Sequence, residues 1–399
     1  MNENIYLNFI QKGLFLLLIA LLPLHGVDGV ITTVLGTSAL LAVFHFNRLK
    51  NIQPFLIICS LYGIWFLASS FWSLYPEIVY KGFKKEFLYS FLALIVGYCC
   101  AFQFKNCKFM YLSGFLSLAL FLLASLSRAF PEQLIEINKF YPSVGDGSTS
   151  LVFFFAFATV SLLENKLKSA YFWGGIFILM ISSYLAILYQ NRMLFVSLAA
   201  MLSVTIMYKT KSFSRKSKLI ASIAIIIAGT CLTIYSLSLK TDSSSGYYSN
   251  AKQVIKNDAR IYMWDFYIKK GLEKPIIGYG AGYLSLQETF ANNFPGTWNH
   301  AVRTHAHNVL INKWLQLGFI GLALFIMMYM SIFYYGYNGH FKDKEKELLK
   351  LFLLLIFVGF FSKSITDDFF IRNNLILFWL LCGFIIGRGV TTDLEHKPN

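Results

Sequence analysis

Apolar residues in this chain fall into long blocks separated by short polar stretches, rather than into the amphipathic alternation of a water-soluble domain. A helix that crosses the roughly 30 Å hydrocarbon core needs about 20 predominantly apolar residues, each rising about 1.5 Å. Twelve blocks qualify as spans, near Ile10–His25, Val27–Phe46, Phe55–Trp72, Phe87–Phe104, Phe109–Leu126, Ser148–Leu163, Tyr171–Tyr189, Met193–Tyr208, Leu219–Leu239, Val309–Tyr335, Leu348–Ser362 and Asn374–Gly387. Pro23 and Gly26 make the first two a candidate broken pair instead of two full crossings. The predicted fold class is an all-α integral membrane protein of about twelve transmembrane helices. Residues 1–239 would carry the first nine, 240–308 a large loop, and 309–399 the last three with a tail.

Loop charge sets the expected orientation. The connections after spans two, four, six, eight and ten are basic, with Arg48 and Lys50, Lys105 and Lys108, Lys166 and Lys168, a run from Lys209 to Lys218, and four lysines between Lys342 and Lys350. The positive-inside rule makes these cytoplasmic, with both termini on that side and 240–308 outside, in the periplasm of a bacterial inner membrane. Lys81, Lys84, Lys85, Arg128 and Arg192 then lie on the side the rule disfavours, which calls for a reason. No Ala-x-Ala-like site follows the first block, so a retained anchor is expected there, not a cleaved signal.

Composition sharpens this picture. Of 399 residues 56% are apolar and 14% charged, where a soluble protein has about 25% charged. The net charge of +15 suits anionic lipid or phosphate as partner, and the membrane-buried character speaks against nucleic acid. The six cysteines lie in or beside spans without a Cys-x-x-Cys pair, so neither disulfides nor a cysteine nucleophile is expected.

The loop carries the candidate chemistry. From Ala251 to Gly271, Val254, Ile261, Trp264 and Ile268 recur at helical spacing, an amphipathic helix able to lie on the membrane surface and closed by Gly271. The turn segment Pro275–Gly282 holds Gly278, Gly280 and Gly282 at alternate positions, which fits a structural turn packed against the bilayer and, more weakly, a close approach to phosphate. Three of the seven histidines, His300, His305 and His307, precede span ten. They admit a zinc site, interfacial histidines facing water, or a general base. A helix amino end disfavours a further positive charge, so an uncharged His307 could accept a proton there. Arg192, between spans seven and eight, is either an interfacial arginine reaching to headgroups or a fixed cation that grips phosphate with two parallel hydrogen bonds.

The order Arg260, Trp264, Pro275, Gly278, Gly280, then His307-Asn308, nine residues to Gly318 and two more to Gly321, resembles the signature of the O-antigen ligase and polymerase superfamily, and within it the lipopolysaccharide O-antigen ligases. The resemblance implies a membrane glycosyltransferase (GT-C-like) architecture. It also implies transfer of a glycan from undecaprenyl pyrophosphate to a sugar hydroxyl of lipid A-core, with no metal, nucleotide or other cofactor. By the same resemblance His307 matches the catalytic histidine, and Arg260 and Arg192 match the arginines that bind pyrophosphate. Trp264, Gly278, Gly280, Asn308, Gly318 and Gly321 are the structural positions of the motif. Lys81, Lys84, Lys85, Arg303 and His305 are held as further phosphate or lipid A contacts. Expected partners are the undecaprenyl-pyrophosphate-linked O-antigen, the lipid A-core oligosaccharide and membrane lipids.

The residue types suit that chemistry independently. A diphosphate leaves readily and needs cations to meet its growing charge, whereas a sugar hydroxyl is a poor nucleophile that gains from a base. Direct attack opposite the diphosphate would invert the anomeric centre, and no carboxylate pair at an obvious spacing suggests a covalent intermediate. A polymerase uses the same diphosphate grip and stays as an alternative. A lipid-linked glycan transporter would instead place charge near the middle of its spans, where this sequence shows little.

Overall fold

The computed structural model describes residues 3–104, 108–129, 143–189, 191–209, 259–294, 305–339, 343–365 and 372–396, with scattered positions between 214 and 229 and residues 341, 368 and 370. The described residues build helices and connecting turns, without strands. In chain order the helices are α1 (Glu3–Leu21), α2 (Asp28–Ala42), α3 (Gln53–Ala68), α4 (Pro76–Gly82), α5 (Tyr89–Ala101), α6 (Lys108–Ala129), α7 (Val144–Glu164), α8 (Ala170–Tyr189), α9 (Arg192–Lys209), α10 (Ala259–Glu273), α11 (Ser285–Thr289), α12 (Val309–Tyr337), α13 (Asp343–Ser364) and α14 (Arg372–His396). Each predicted span coincides with one of these helices except the ninth, which lies largely outside the described residues. Among the described residues, four helical stretches are long and apolar enough to cross a membrane on that ground alone: Asp28–Phe71, Val144–Glu164, Val309–Tyr337 and Asn373–Val390.

The centre of the bundle is α14, buried without a break from residue 374 to 389. A helix apolar on all sides belongs where other helices surround it. It packs on α5 through small residues. A methyl group on Gly97 would sit 2.1 Å from the Leu380 carbonyl oxygen, and one on Gly383 would sit 2.1 Å from that of Leu94. Backbones approach this closely at membrane helix interfaces, where shape fit and dispersion replace the hydrophobic drive.

The first two spans are separate helices, with a turn from Leu22 to Val27 and Gly26 at φ 74° between them, where Pro23 and Gly26 placed the break. Three expectations are corrected. The segment carrying Lys81, Lys84 and Lys85 is helical, because the chain from Pro76 runs into α5 through a π-helical turn at Phe83–Leu88. Such a turn admits an extra residue and shifts the facing of the side chains. Glu86 and Phe87 are buried while the three lysines stay exposed. The loop helix begins at Ala259 among the described residues and runs past Gly271 to Glu273; residues 251–258 lie outside them. Gly271 serves packing, not termination, since a methyl there would meet the Trp314 ring at 2.7 Å. The inward face of α10 carries Met263 and Tyr267, which join Tyr279, Leu286, Phe290, Ala306 and Leu315 in a core of their own, while Ile268 is exposed. Finally, charge is not confined to one face: Lys313–Glu86 is a buried pair among the helices, and buried Arg388 pairs with the half-buried Glu345.

Span ten is broken. Gly318 adopts φ 67°, ψ −173° inside α12, dividing it into a first part with buried Asn312, Lys313 and Gln316 and an apolar second part. The segment after α10 mends the break. Tyr279 N–H donates to the Leu315 carbonyl (2.8 Å) and Gly280 N–H to that of Gln316 (2.9 Å). Phe319 N–H donates to the Pro275 carbonyl (2.9 Å), and Trp65 Nε1 to that of Leu317 (3.0 Å). A backbone group left bare at such a kink would cost several kcal/mol in an apolar setting. A Cβ on Gly318 would lie 1.9 Å from the Ile276 carbonyl oxygen, in a backbone conformation that side chains resist. Gly318→Ala is therefore expected to lower thermal stability in detergent markedly, by about 1–3 kcal/mol or more. Wild-type melting would show that the junction is not rigid.

Candidate functional site

The site is built on the amino end of α12. Asn308 caps it, its Oδ1 accepting from the backbone N–H groups of Leu310 (2.9 Å) and Ile311 (3.1 Å). Capping satisfies two donors that the first helical turn leaves without partners. His307 precedes the cap at φ 48°, the one non-glycine residue with positive φ among the described residues. A left-handed non-glycine residue costs about 1–3 kcal/mol and persists only where its surroundings over-determine it.

Those surroundings are specific. Ala306 N–H donates to Asn312 Oδ1 (2.8 Å), and the Ala306 carbonyl accepts from Trp264 Nε1 (2.8 Å). Asn312 Nδ2 in turn donates to Asp368 Oδ2 (2.5 Å), and Asp368 Oδ1 accepts from Phe370 N–H (3.0 Å). The segment His305–His307 is thus pinned through Ala306 between α10 and the approach to α14. His307 N–H donates to His305 Nδ1 (3.0 Å), the two rings lie 4.0 Å apart, and Tyr283 flanks His305. His305 is buried and His307 half-buried.

Trp264 also locates Arg260, which lies one helical turn earlier on α10 and is half-buried. Residues four apart on a helix share a face. Arg260 therefore stands one turn from the side chain that binds the His307 segment. The far end of α10 is tied down by Tyr279, whose hydroxyl donates to Glu273 Oε2 (3.0 Å), while Lys270 Nζ donates to Glu273 Oε1 (2.8 Å). Hydrogen bonding from Lys270, aided by Tyr279, holds the Glu273 carboxyl below its ordinary range.

Beneath the histidine segment Lys313 Nζ donates to Glu86 Oε2 at 2.8 Å, each side chain 5% exposed, and also to Gln316 Oε1 (3.2 Å). Gln316 Nε2 donates to the Gly282 carbonyl (3.1 Å), so the pair is joined to the glycine turn. Gly280, at φ 112°, leaves room for Ser73, and Gly321 faces the Trp65 ring; a methyl on either would meet those side chains at 2.4 Å and 3.0 Å.

Arg192 opens α9, with Asn191 Oδ1 capping the N–H groups of Met193 (3.1 Å) and Leu194 (3.3 Å). Its end of the bundle is fixed by Tyr189, which packs on Gly147 in the first turn of α7. The same turn meets α14, where Asn374 Nδ2 donates to the Asp146 carbonyl (3.1 Å) and Ser150 to Asn374 Oδ1 (3.0 Å). Only a few residues separate Asn374 from Asp368. The start of α9, the start of α7 and the His307 segment therefore share one end of the bundle. Lys81, Lys84 and Lys85 are exposed near that end, beside the buried Glu86. Arg303 and His300 lie outside the described residues, as does the Arg192 side chain.

Residues 148–326 match the model of the O-antigen ligase family. That match covers somewhat less than half of the chain. The matched stretch runs from α7 into the second part of α12, and includes Arg192, Arg260 and His307. Among similar proteins, a Rickettsia conorii protein named "Putative polysaccharide ligase" is 27% identical over 125 residues, 31% of this chain and 30% of that protein. Its Rickettsia typhi counterpart is 26% identical over the same shares. The match thus spans less than a third of these relatives' length.

Glu86, Asn312, Lys313 and Asp368 were not singled out in the sequence. The available signal was an ionisable residue inside an apolar span, Lys313, which in a membrane requires a partner.

Proposed function

We propose that the protein is a glycosyltransferase that moves a glycan from undecaprenyl pyrophosphate to a sugar hydroxyl of lipid A-core. It would work at the periplasmic face of a bacterial inner membrane, with both termini cytoplasmic. The observation that carries this reading is His307. It is a histidine held in a strained backbone conformation at a helix amino end, anchored from two sides, with Arg260 one turn from its anchor Trp264.

In the proposed reaction His307 takes the proton of the acceptor hydroxyl. The hydroxyl oxygen forms the new bond to the anomeric carbon, and the bond from that carbon to the diphosphate oxygen breaks with its electron pair. Arg260 and Arg192 receive the developing charge on the diphosphate, and attack from the opposite face inverts the centre. The remaining basic residues near this end, Lys81, Lys84, Lys85 and His305, are secondary contacts to phosphate or lipid A in this reading.

Reconstitution with lipid-linked glycan and rough lipopolysaccharide, with chelator and without nucleotide, tests it. Capped lipid A-core supports the reading, lengthened lipid-linked chains mark a polymerase, and no transfer refutes both. Arg192→Lys is expected to lose about tenfold to a hundredfold in transfer despite its retained charge, because two parallel charged hydrogen bonds are lost. Full turnover in that variant would reduce Arg192 to a membrane anchor.

A further inference from the structure

A cavity of about 560 Å³ opens beside this site, between the α1–α2 turn, the π-helical turn and the starts of α7 and α14. Its size is within the roughly 300–1,000 Å³ typical of ligand sites. His25, Asp28 and Lys85 stand exposed in its lining, and the buried side chains of Asp146, Ser150 and Asn374 form its deep wall. Buried polar groups among membrane helices are costly and mark functional positions. The wall is built: Asn374 is fixed between Ser150 and the Asp146 carbonyl, and Asn373 Nδ2 donates to the Leu24 carbonyl (3.1 Å) and Asp28 Oδ1 (3.3 Å).

The charge pattern selects the ligand class. Two carboxylates, Asp28 and Asp146, face one ammonium, Lys85, so the lining carries no cationic excess to hold a diphosphate. Carboxylates and amides instead accept from and donate to neighbouring hydroxyls, and Tyr89 and Ile376 give rings an apolar surface. We infer that this cavity is a saccharide subsite that takes a sugar ring of one of the two glycans, distinct from the diphosphate grip. The inference rests on the proposed transfer for its role, but not for its ligand class. Its wall at Asn374 and Asp146 lies at the end of the bundle that also carries the His307 segment.

Gly29 lines the cavity, and a Cβ there would meet nothing within 4 Å, so a large side chain can enter without displacing backbone. The test titrates the purified full chain with two probes by calorimetry: delipidated core oligosaccharide, and O-antigen glycan released from its lipid carrier. Binding of one probe by the wild type, weakened at least about tenfold in Gly29→Trp and in Asp28→Asn at unchanged melting temperature, is the expected result. The probe affected identifies the source of the sugar as acceptor or donor. In reconstituted transfer the same glycan should show a raised KM at similar kcat in Gly29→Trp. Binding of neither probe, equal binding by wild type and both variants, or displacement of the sugar by inorganic pyrophosphate overturns the inference. Oligosaccharide binding without any transfer by the wild type would refute the proposed function and leave the subsite standing.

Discussion

His307→Ala is expected to abolish glycan transfer while leaving the protein inserted and abundant, a loss of about 10²- to 10⁴-fold from removal of the base. Alanine also inherits the left-handed backbone at φ 48°, so a structural fault could imitate the catalytic one. His307→Asn separates the two. Asparagine accepts that conformation more readily than most residues and cannot serve as the base. Both variants should melt near the wild-type temperature and both should be inactive in the reconstituted assay. Transfer above about a tenth of wild type in either would remove the base assignment.

The second large effect is structural. Lys313→Ala is expected to leave the Glu86 carboxylate buried without its cation, and breaking one partner of such a pair costs about 3–5 kcal/mol. Glu86 Oε1 has no hydrogen-bond partner among the described residues, so the loss falls on a group already incompletely satisfied. The pair ties the π-helical turn to the first part of α12, directly below the histidine segment. Melting in detergent should drop sharply, and the double variant Glu86→Gln with Lys313→Met should recover most of it. A single variant that melts like the wild type would mean that water or lipid headgroups reach Glu86.

The broad architecture was legible because burial in a membrane imposes long apolar blocks, and these map onto helices with the predicted order. Which helix stands at the centre was not legible. Residues 374–389 look like any other span, and only the close approach of Gly97 and Gly383 reveals that α14 is packed on all sides. The alternate glycines of Pro275–Gly282 read correctly as a turn, but the expected packing against the bilayer is wrong: the turn pairs with α12, because the Gly318 kink frees the carbonyl groups of Leu315 and Gln316 some 36 residues later. Hydropathy ran smoothly through Gly318, so span ten looked continuous. The periodicity of α10 likewise placed Ile268 on the apolar face, whereas the buried face follows Met263 and Tyr267 toward a core that forms only once Leu315 and Phe290 arrive. Buried charge among the spans was the feature that would have favoured a transporter in the sequence. Here Lys313 is closed by Glu86 and Gln316, and Arg388 by Glu345 and the Phe104 carbonyl where α5 ends, so both cations are held in place within the fold.

A structure of the protein with its lipid-linked glycan donor bound tests the central claim most directly. The account predicts the diphosphate within hydrogen-bonding reach of both Arg192 and Arg260, with the His307 imidazole on the opposite face of the anomeric carbon. A diphosphate bound away from either arginine, or an imidazole on the leaving-group side, would contradict it.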